Sequence, residues 1–159
     1  MEDLVKRNKI LTKYYYEENI GIVNARNRCL TEVKKLEFDY LISLDDDEKV
    51  EKNWLVKYYE CLNKYEADVI CGPVITEYKD LNNFISKSKI YTREILDTGT
   101  EITTCGCGNV LIKKAVIDLN IKFNIRYNTS GGEDTEYFKR IYELGKKLYI
   151  VKMRLYMKS

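Results

Sequence analysis

Asp45-Asp46-Asp47 follows directly on the apolar run Tyr40-Leu41-Ile42-Ser43-Leu44, and Glu133-Asp134 follows directly on Gly131-Gly132. A strand ending in three carboxylates places them where a sheet meets a cleft, and carboxylates that crowded repel unless a cation or a proton joins them. The two clusters suggest a metal site and a separate catalytic carboxylate. Each has a plainer reading. A carboxylate near a helix N-terminus is stabilised by about 0.3–1 kcal/mol through the dipole, which accounts for one aspartate but not readily for three in sequence followed by Glu48. A calcium loop of the EF-hand type starting at Asp45 would need glycine at its sixth position and glutamate at its twelfth, where this chain has Val50 and Val56. What remains for Asp45, Asp46 and Asp47 is a hard divalent cation, magnesium or manganese, completed by substrate phosphates, or else a solvated, capped helix start.

Gly131-Gly132-Glu133-Asp134-Thr135-Glu136 reads either as a turn with acidic helix capping or as a loop that delivers a carboxylate to a substrate. Taken with the aspartate run, the second reading gains weight, because an ion-bound phosphate and a base are complementary halves of one reaction. A carboxylate within hydrogen-bond reach of an acceptor hydroxyl removes its proton as the new bond forms, worth about 10² to 10⁴ in rate. Arg26 is either a surface arginine or an anchor for phosphate or a base, which its donor fork suits. Gly106-Cys107-Gly108-Asn109 lacks the third glycine of a dinucleotide fingerprint, since Leu111 stands there and a strand is expected to follow. A tight turn that lets backbone approach a ligand is the better use of these glycines.

These groups need a scaffold, and the sequence supplies alternating elements. Ile10 to Tyr16 is β-rich and reads as an extended segment. Ile22, Ala25, Cys29, Val33 and Leu36 recur as one helix face does, placing Asn24, Arg26, Asn27 and Arg28 near a helix N-terminus. Phe38 to Leu44 reads as a buried strand, and Trp54, Leu55, Tyr58, Leu62 and Tyr65 as the apolar face of a second helix. Ala67 to Cys71 forms a strand that stops at Gly72-Pro73. Asp80 to Lys89 suits a short helix, and Asp97-Thr98-Gly99 has turn chemistry. Asn109 to Ile112 predicts a strand, Tyr137, Phe138, Ile141 and Leu144 a helix stopped by Gly145, and Leu148 to Val151 a last strand that extends toward Met157. Strands alternating with helices predict an α/β layer fold with ligands at the carboxyl ends of the strands.

Composition narrows the classes further. The chain has 159 residues, 45% of them hydrophobic, which suits one compact domain rather than two. The 27 basic and 25 acidic residues are interspersed, so there is no field of the kind that draws proteins to nucleic acid. No apolar run approaches the roughly 20 residues needed to cross a bilayer, and the expected location is cytoplasmic or peripheral at the inner face of a membrane. Cys29, Cys61, Cys71, Cys105 and Cys107 are odd in number and irregular in spacing, and read as reduced thiols. Cys105-Gly106-Cys107 offers two zinc ligands, but the chain has no histidine and no second short cysteine pair to complete a site. Asn128-Thr129-Ser130 matches a glycosylation acceptor and reads as loop sequence. The 14 tyrosines offer sugar-stacking platforms but suit amphipathic packing better.

In order along the chain, Asn19-Ile20-Gly21-Ile22-Val23-Asn24-Ala25-Arg26-Asn27, Leu44-Asp45-Asp46-Asp47, Trp54-Leu55, Ala67-Asp68-Val69-Ile70-Cys71-Gly72-Pro73-Val74, Gly108-Asn109-Val110-Leu111-Ile112 and Gly131-Gly132-Glu133-Asp134-Thr135-Glu136-Tyr137-Phe138 together resemble the family 2 glycosyltransferases of the GT-A fold. The resemblance implies a Rossmann-like α/β/α sandwich and transfer of a sugar, usually with inversion, from a UDP- or GDP-sugar to a hydroxyl of a glycan, lipid or other acceptor. It implies that Asp45-Asp46-Asp47 is the DXD-type motif, with Asp45 and Asp46 near the donor ribose and phosphates and Asp47, with Asp45, on a manganese or magnesium ion. It further implies Asp134 as base, Glu133 orienting the sugar or acceptor, and Arg26, Gly108 and Asn109 near the nucleotide.

The sequence departs from the family pattern at its start. Members normally open with an apolar strand and turn that support the base, then a helix and a second strand, and those elements are expected to be missing here. A sheet without that strand has an unpaired edge, which invites a further segment or a second copy of the chain. Two other function classes remain: a noncatalytic remnant that binds glycan or protein, and a metal-dependent nucleotidyltransferase using the same carboxylates.

Overall fold

The strand Val69–Cys71 is buried at every residue, and the strand Asn109–Lys113 at all but its last. Continuous apolar strands of this kind belong at the centre of a sheet covered on both faces. Numbering strands and helices in chain order, the computed structural model contains α1 (Ile22–Val33), β1 (Tyr40–Leu44), β2 (Glu48–Val50), α2 (Trp54–Tyr65), β3 (Val69–Cys71) and β4 (Val74–Thr76). These are followed by β5 (Asn109–Lys113), α3 (Lys114–Ile117), a 3-10 turn (Ile125–Tyr127), α4 (Glu133–Glu143), β6 (Leu148–Ile150) and β7 (Leu155–Met157). The structure describes residues 12–46, 48–76, 96–153 and 155–157. The expected helix over Asp80 to Lys89, the first two residues of the expected extended segment, and Asp47 lie outside the described residues; Thr12 to Tyr16 form no strand.

The main sheet has the order β1-β5-β3-β6. β5 runs antiparallel to both neighbours, with Leu44 opposite Asn109 and Cys71 opposite Val110, while β3 and β6 are parallel. The carboxyl ends of β1 and β3 therefore meet the amino end of β5, which brings Gly108 to the aspartate run. Alternate residues point to opposite faces. Val69, Cys71, Val110 and Ile112 pack with residues of α1, α3 and α4, whereas Ile70 and Leu111 pack with Trp54, Tyr58, Cys61 and Leu62 of α2. The result is an α/β/α sandwich. The outer edge of β1, free of charged residues and proline, is unpaired among the described residues.

Several elements differ in detail from the sequence expectation. In α1 the buried apolar positions are Val23 and Leu30, while Ile22 and Leu36 are 48% and 42% exposed. Of the apolar stripe that periodicity picks out, Val33 packs against the core while Ile22, Ala25, Cys29 and Leu36 are exposed. The inward stripe was hidden because it carries Asn27, a polar residue whose amide is fully engaged across the fold. Leu55, assigned to the inner face of α2, is 56% exposed.

The expected last strand is interrupted, with β6 in the main sheet and β7 in a second sheet of order β2-β7-β4. The break matches the one at Gly72-Pro73 between β3 and β4, where Pro73 has no N–H to donate. At Gly72 an added Cβ would fall 2.2 Å from Asn109 Nδ2. Finally, Cys71 and Cys105 form a disulfide, with Cα atoms 6.4 Å apart, correcting the reading of all five cysteines as reduced. Spacing gave no sign of it, since the pair is 34 residues apart and is brought together by the fold.

Candidate functional site

Asp45 leaves the end of β1 in a tight turn. Its N–H donates to Glu48 Oε2 at 3.2 Å, and the Glu48 N–H returns to the Asp45 carbonyl at 3.3 Å. Glu48 is buried, whereas Asp45 and Asp46 are exposed. The turn consequently presents two carboxylates to solvent and uses a third to hold its shape. Sequence reading noted Glu48 only as a further acid; its place became legible only with the turn. Opposite, Gly108 packs close to the turn: an added Cβ would lie 2.7 Å from Asp45 Oδ2 and 2.8 Å from Glu48 Oε1, so those carboxylates would have to shift.

Asn109 serves the interior. Its Oδ1 accepts from Trp54 Nε1 at 2.9 Å and from Tyr58 Oη at 2.5 Å, and its Nδ2 donates to the Pro73 carbonyl at 3.4 Å. Both lone pairs of the amide oxygen are taken. Asn109 is buried, so the side chain fixes the Gly108 turn from behind. Burial pushes the Tyr58 hydroxyl pKa well above its ordinary value, so the hydroxyl stays protonated and donates.

The second carboxylate pair opens α4. Gly131 and Gly132 adopt φ of +72° and +87°, conformations that favour glycine, and they turn the chain into the helix without a side-chain cap. Glu133 is buried and ion-paired to Arg26 Nη1, with Arg26 itself stacked over Phe123 at 5.6 Å. Asp134 is half-buried, and its Oδ1 accepts only the adjacent Thr135 N–H, at 2.7 Å, among the described residues. Asp134 is thus the less committed of the two.

Cys107 ties the two halves together. Burial pushes its thiol up to about 12; Arg26 opposes that shift, and the charges of Asp134, Glu133 and Asp45 reinforce it. Arg26, paired to Glu133, lines one cavity with Cys107 and with Leu44, the residue before Asp45. Two cavities flank this point. One of about 260 Å³ lies between α1 and β1 and includes Arg26, Leu41 and Cys107; the other, of about 170 Å³, is walled by Gly72, Gly106, Gly108 and the Cys71–Cys105 pair.

The aspartate run has the chemistry for a hard cation: exposed oxygen donors of one sign beside a backbone cradle at Gly108 that a Cβ would fill. Among the described residues, which leave out Asp47, no group of three candidate ligands assembles.

Residues 1–119 match the family description Glycosyl transferase family 2. The chain belongs to glycosyl transferase family 2. It is 31% identical over 136 residues to the succinoglycan biosynthesis protein ExoM of Rhizobium meliloti (strain 1021), an overlap of 81% of this chain and 41% of that protein. The S. aureus TarS 1–349 structure in complex with UDP-GlcNAc superposes on 98% of this chain and 45% of that one, with a TM-score of 0.70 and 18% identity. TarS 1–349 alone gives a TM-score of 0.60 over 86% of this chain and 40% of that one at 17% identity. The family 2 chain thus shares the GT-A fold of TarS and spans less than half the length of these relatives. Its Glu133-Asp134 pair lies beyond the residues that match the family description. No helix among the described residues is long and apolar enough to cross a membrane.

Proposed function

We propose that this chain transfers a sugar, with inversion, from a UDP- or GDP-sugar to a hydroxyl of a glycan, lipid or other acceptor, using manganese or magnesium. The observation that supports the reading is geometric: Arg26, ion-paired to Glu133, lines one cavity with Cys107 and with Leu44, the residue before Asp45, and Gly108 packs beside the Asp45 carboxylate. The TarS complex with UDP-GlcNAc favours a uridine donor.

In this reading Asp45 and Asp46 face the donor ribose and phosphates, and Asp47 with Asp45 holds the cation. When bound, the cation neutralises the departing diphosphate. Gly108 lets backbone approach the donor, and Asn109 keeps that turn rigid through Trp54 and Tyr58. Asp134 takes the proton of the acceptor hydroxyl as its oxygen displaces the diphosphate in line. Glu133 orients the sugar or acceptor from its buried position, with Arg26 balancing its charge. The chain acts in the cytoplasm or at the inner face of a membrane, and the edge of β1, unpaired among the described residues, offers a place for self-association.

The test is product analysis with UDP-glucose, UDP-GlcNAc and GDP-mannose, each with manganese and a panel of hydroxyl acceptors. The reading expects nucleoside diphosphate and a glycosylated acceptor of inverted anomeric configuration. Pyrophosphate release would instead assign a nucleotidyltransferase, and retention at the anomeric carbon would remove the single displacement.

A further inference from the structure

Gly21 occupies the N-cap position of α1 and offers no side-chain oxygen to the free N–H groups of the first turn. Asn128, more than a hundred residues later, supplies it: Asn128 Oδ1 accepts from the Val23 N–H at 3.1 Å, and Asn128 Nδ2 donates to the Ile20 carbonyl at 2.9 Å. The amide sits so close to the Gly21 backbone, itself at φ +121°, that an added Cβ would lie 2.1 Å from it. Both ends of the amide are engaged with one strip of chain, Ile20 to Val23.

Two further ties run parallel to it. Asn27 exchanges hydrogen bonds with the backbone of Phe123, at 3.0 and 2.9 Å, and Arg26 pairs with Glu133. Between these anchors the chain makes the 3-10 turn, the Gly131 N–H donates to the Tyr127 carbonyl at 3.2 Å, and α4 begins. Four residues separate Asn128 from Glu133, and within them Gly131 and Gly132 have the widest conformational freedom of any residue type. A loop with such a hinge needs an external fix if the carboxylates that follow it are to hold one position.

We propose that Asn128 is a positioning residue for Glu133 and Asp134. It locks the loop before α4 onto the N-terminus of α1, so that the carboxylate pair is placed through Asn128 rather than through contact of Asn128 with substrate. The inference rests on the glycosyl-transfer reading only for what the carboxylates do; the clamp itself stands on the hydrogen bonds. It also gives Asn128 of the Asn128-Thr129-Ser130 sequence a use that loop composition conceals.

The experiment compares wild type with Asn128→Ala, which removes both bonds, and Asn128→Asp, which keeps an acceptor for the Val23 N–H and sets a carboxylate against the Ile20 carbonyl. Amide hydrogen exchange is read by residue. For Asn128→Ala, exchange at residues 131–136 should rise about tenfold or more while that of β3 and β5 stays as in wild type. Asn128→Asp should fall between the two. With a donor and acceptor that turn over, kcat should drop by up to about 10²-fold with donor KM changed little, because misplacement of a base costs rate rather than binding. Unchanged exchange at residues 131–136, or an equal rise across the whole core, overturns the clamp. A kcat that holds while KM rises overturns the positioning role. If no sugar is transferred by wild type the glycosyl-transfer reading fails, and the exchange profile still decides the clamp by itself.

Discussion

Replacing Asn109 by leucine should show how the interior holds the site. Leucine approximates the amide in shape but accepts nothing, so the Trp54 indole N–H and the Tyr58 hydroxyl lose their shared acceptor. Tyr58 is fully buried and Trp54 is 9% exposed, so water does not readily replace Asn109. Each stranded donor costs about 1–3 kcal/mol, and the two together about 2–6 kcal/mol. Against a total stability of about 5–15 kcal/mol for a domain, that is a large fraction. With a urea dependence of about 1–3 kcal/mol per molar, the unfolding midpoint should fall by at least about 0.7 M. Trp54 is the chain's one tryptophan, so fluorescence reads the transition at the perturbed group. Adding Tyr58→Phe to the variant removes one stranded donor and should restore about 1–3 kcal/mol. A loss below about 0.5 kcal/mol, or further destabilisation on adding Tyr58→Phe, would refute the argument that Asn109 works through these two donors.

Three other outcomes are expected. Gly108→Ala forces a methyl against the Asp45 and Glu48 carboxylates, and should weaken manganese-dependent binding of UDP by about tenfold or more, measured by calorimetry, with a stability loss of only about 1–3 kcal/mol. Asp134→Asn should lower kcat by about 10² to 10⁴ with donor affinity retained, and Asp134→Glu should recover part of it in steady-state assays. The Cys107 thiol binds its proton more tightly in the fold, at about 12 against an ordinary 9.0; its contribution to stability is therefore complete below pH 9.0 and is lost as pH rises toward 12. Iodoacetamide near neutral pH should accordingly label exposed Cys29 and spare buried Cys107, as mass spectrometry would show.

Much of this arrangement was legible in the residues because the signals are local. The carboxylates at the end of an apolar strand, the double glycine before Glu133-Asp134 and the 3.6-residue rhythm of Trp54, Tyr58 and Leu62 each report on their own neighbourhood. What was not legible depends on partners far away in sequence. Asn109 looks like a ligand-facing residue until the antiparallel pairing of β5 places it beneath Trp54 and Tyr58. Asn128 looks like loop sequence until it is found capping a helix that begins at Ile22. The Cys71–Cys105 bond depends on the approach of a loop to the end of β3. In α1, periodicity marked an apolar stripe but not which side of the helix meets the sheet, and the polar Asn27 concealed the inward side.

The proposed function requires that the acidic run after β1 bind a nucleoside diphosphate through a divalent cation. Calorimetric titration of UDP and of GDP, with manganese and then with EDTA, into wild type, Asp45→Ala and Asp47→Ala tests it most directly. Binding of one nucleotide that requires the metal, and that is lost or weakened by about tenfold or more in both variants, is the expected result. Binding that survives EDTA and both substitutions, or no binding of either nucleotide to wild type, would contradict it.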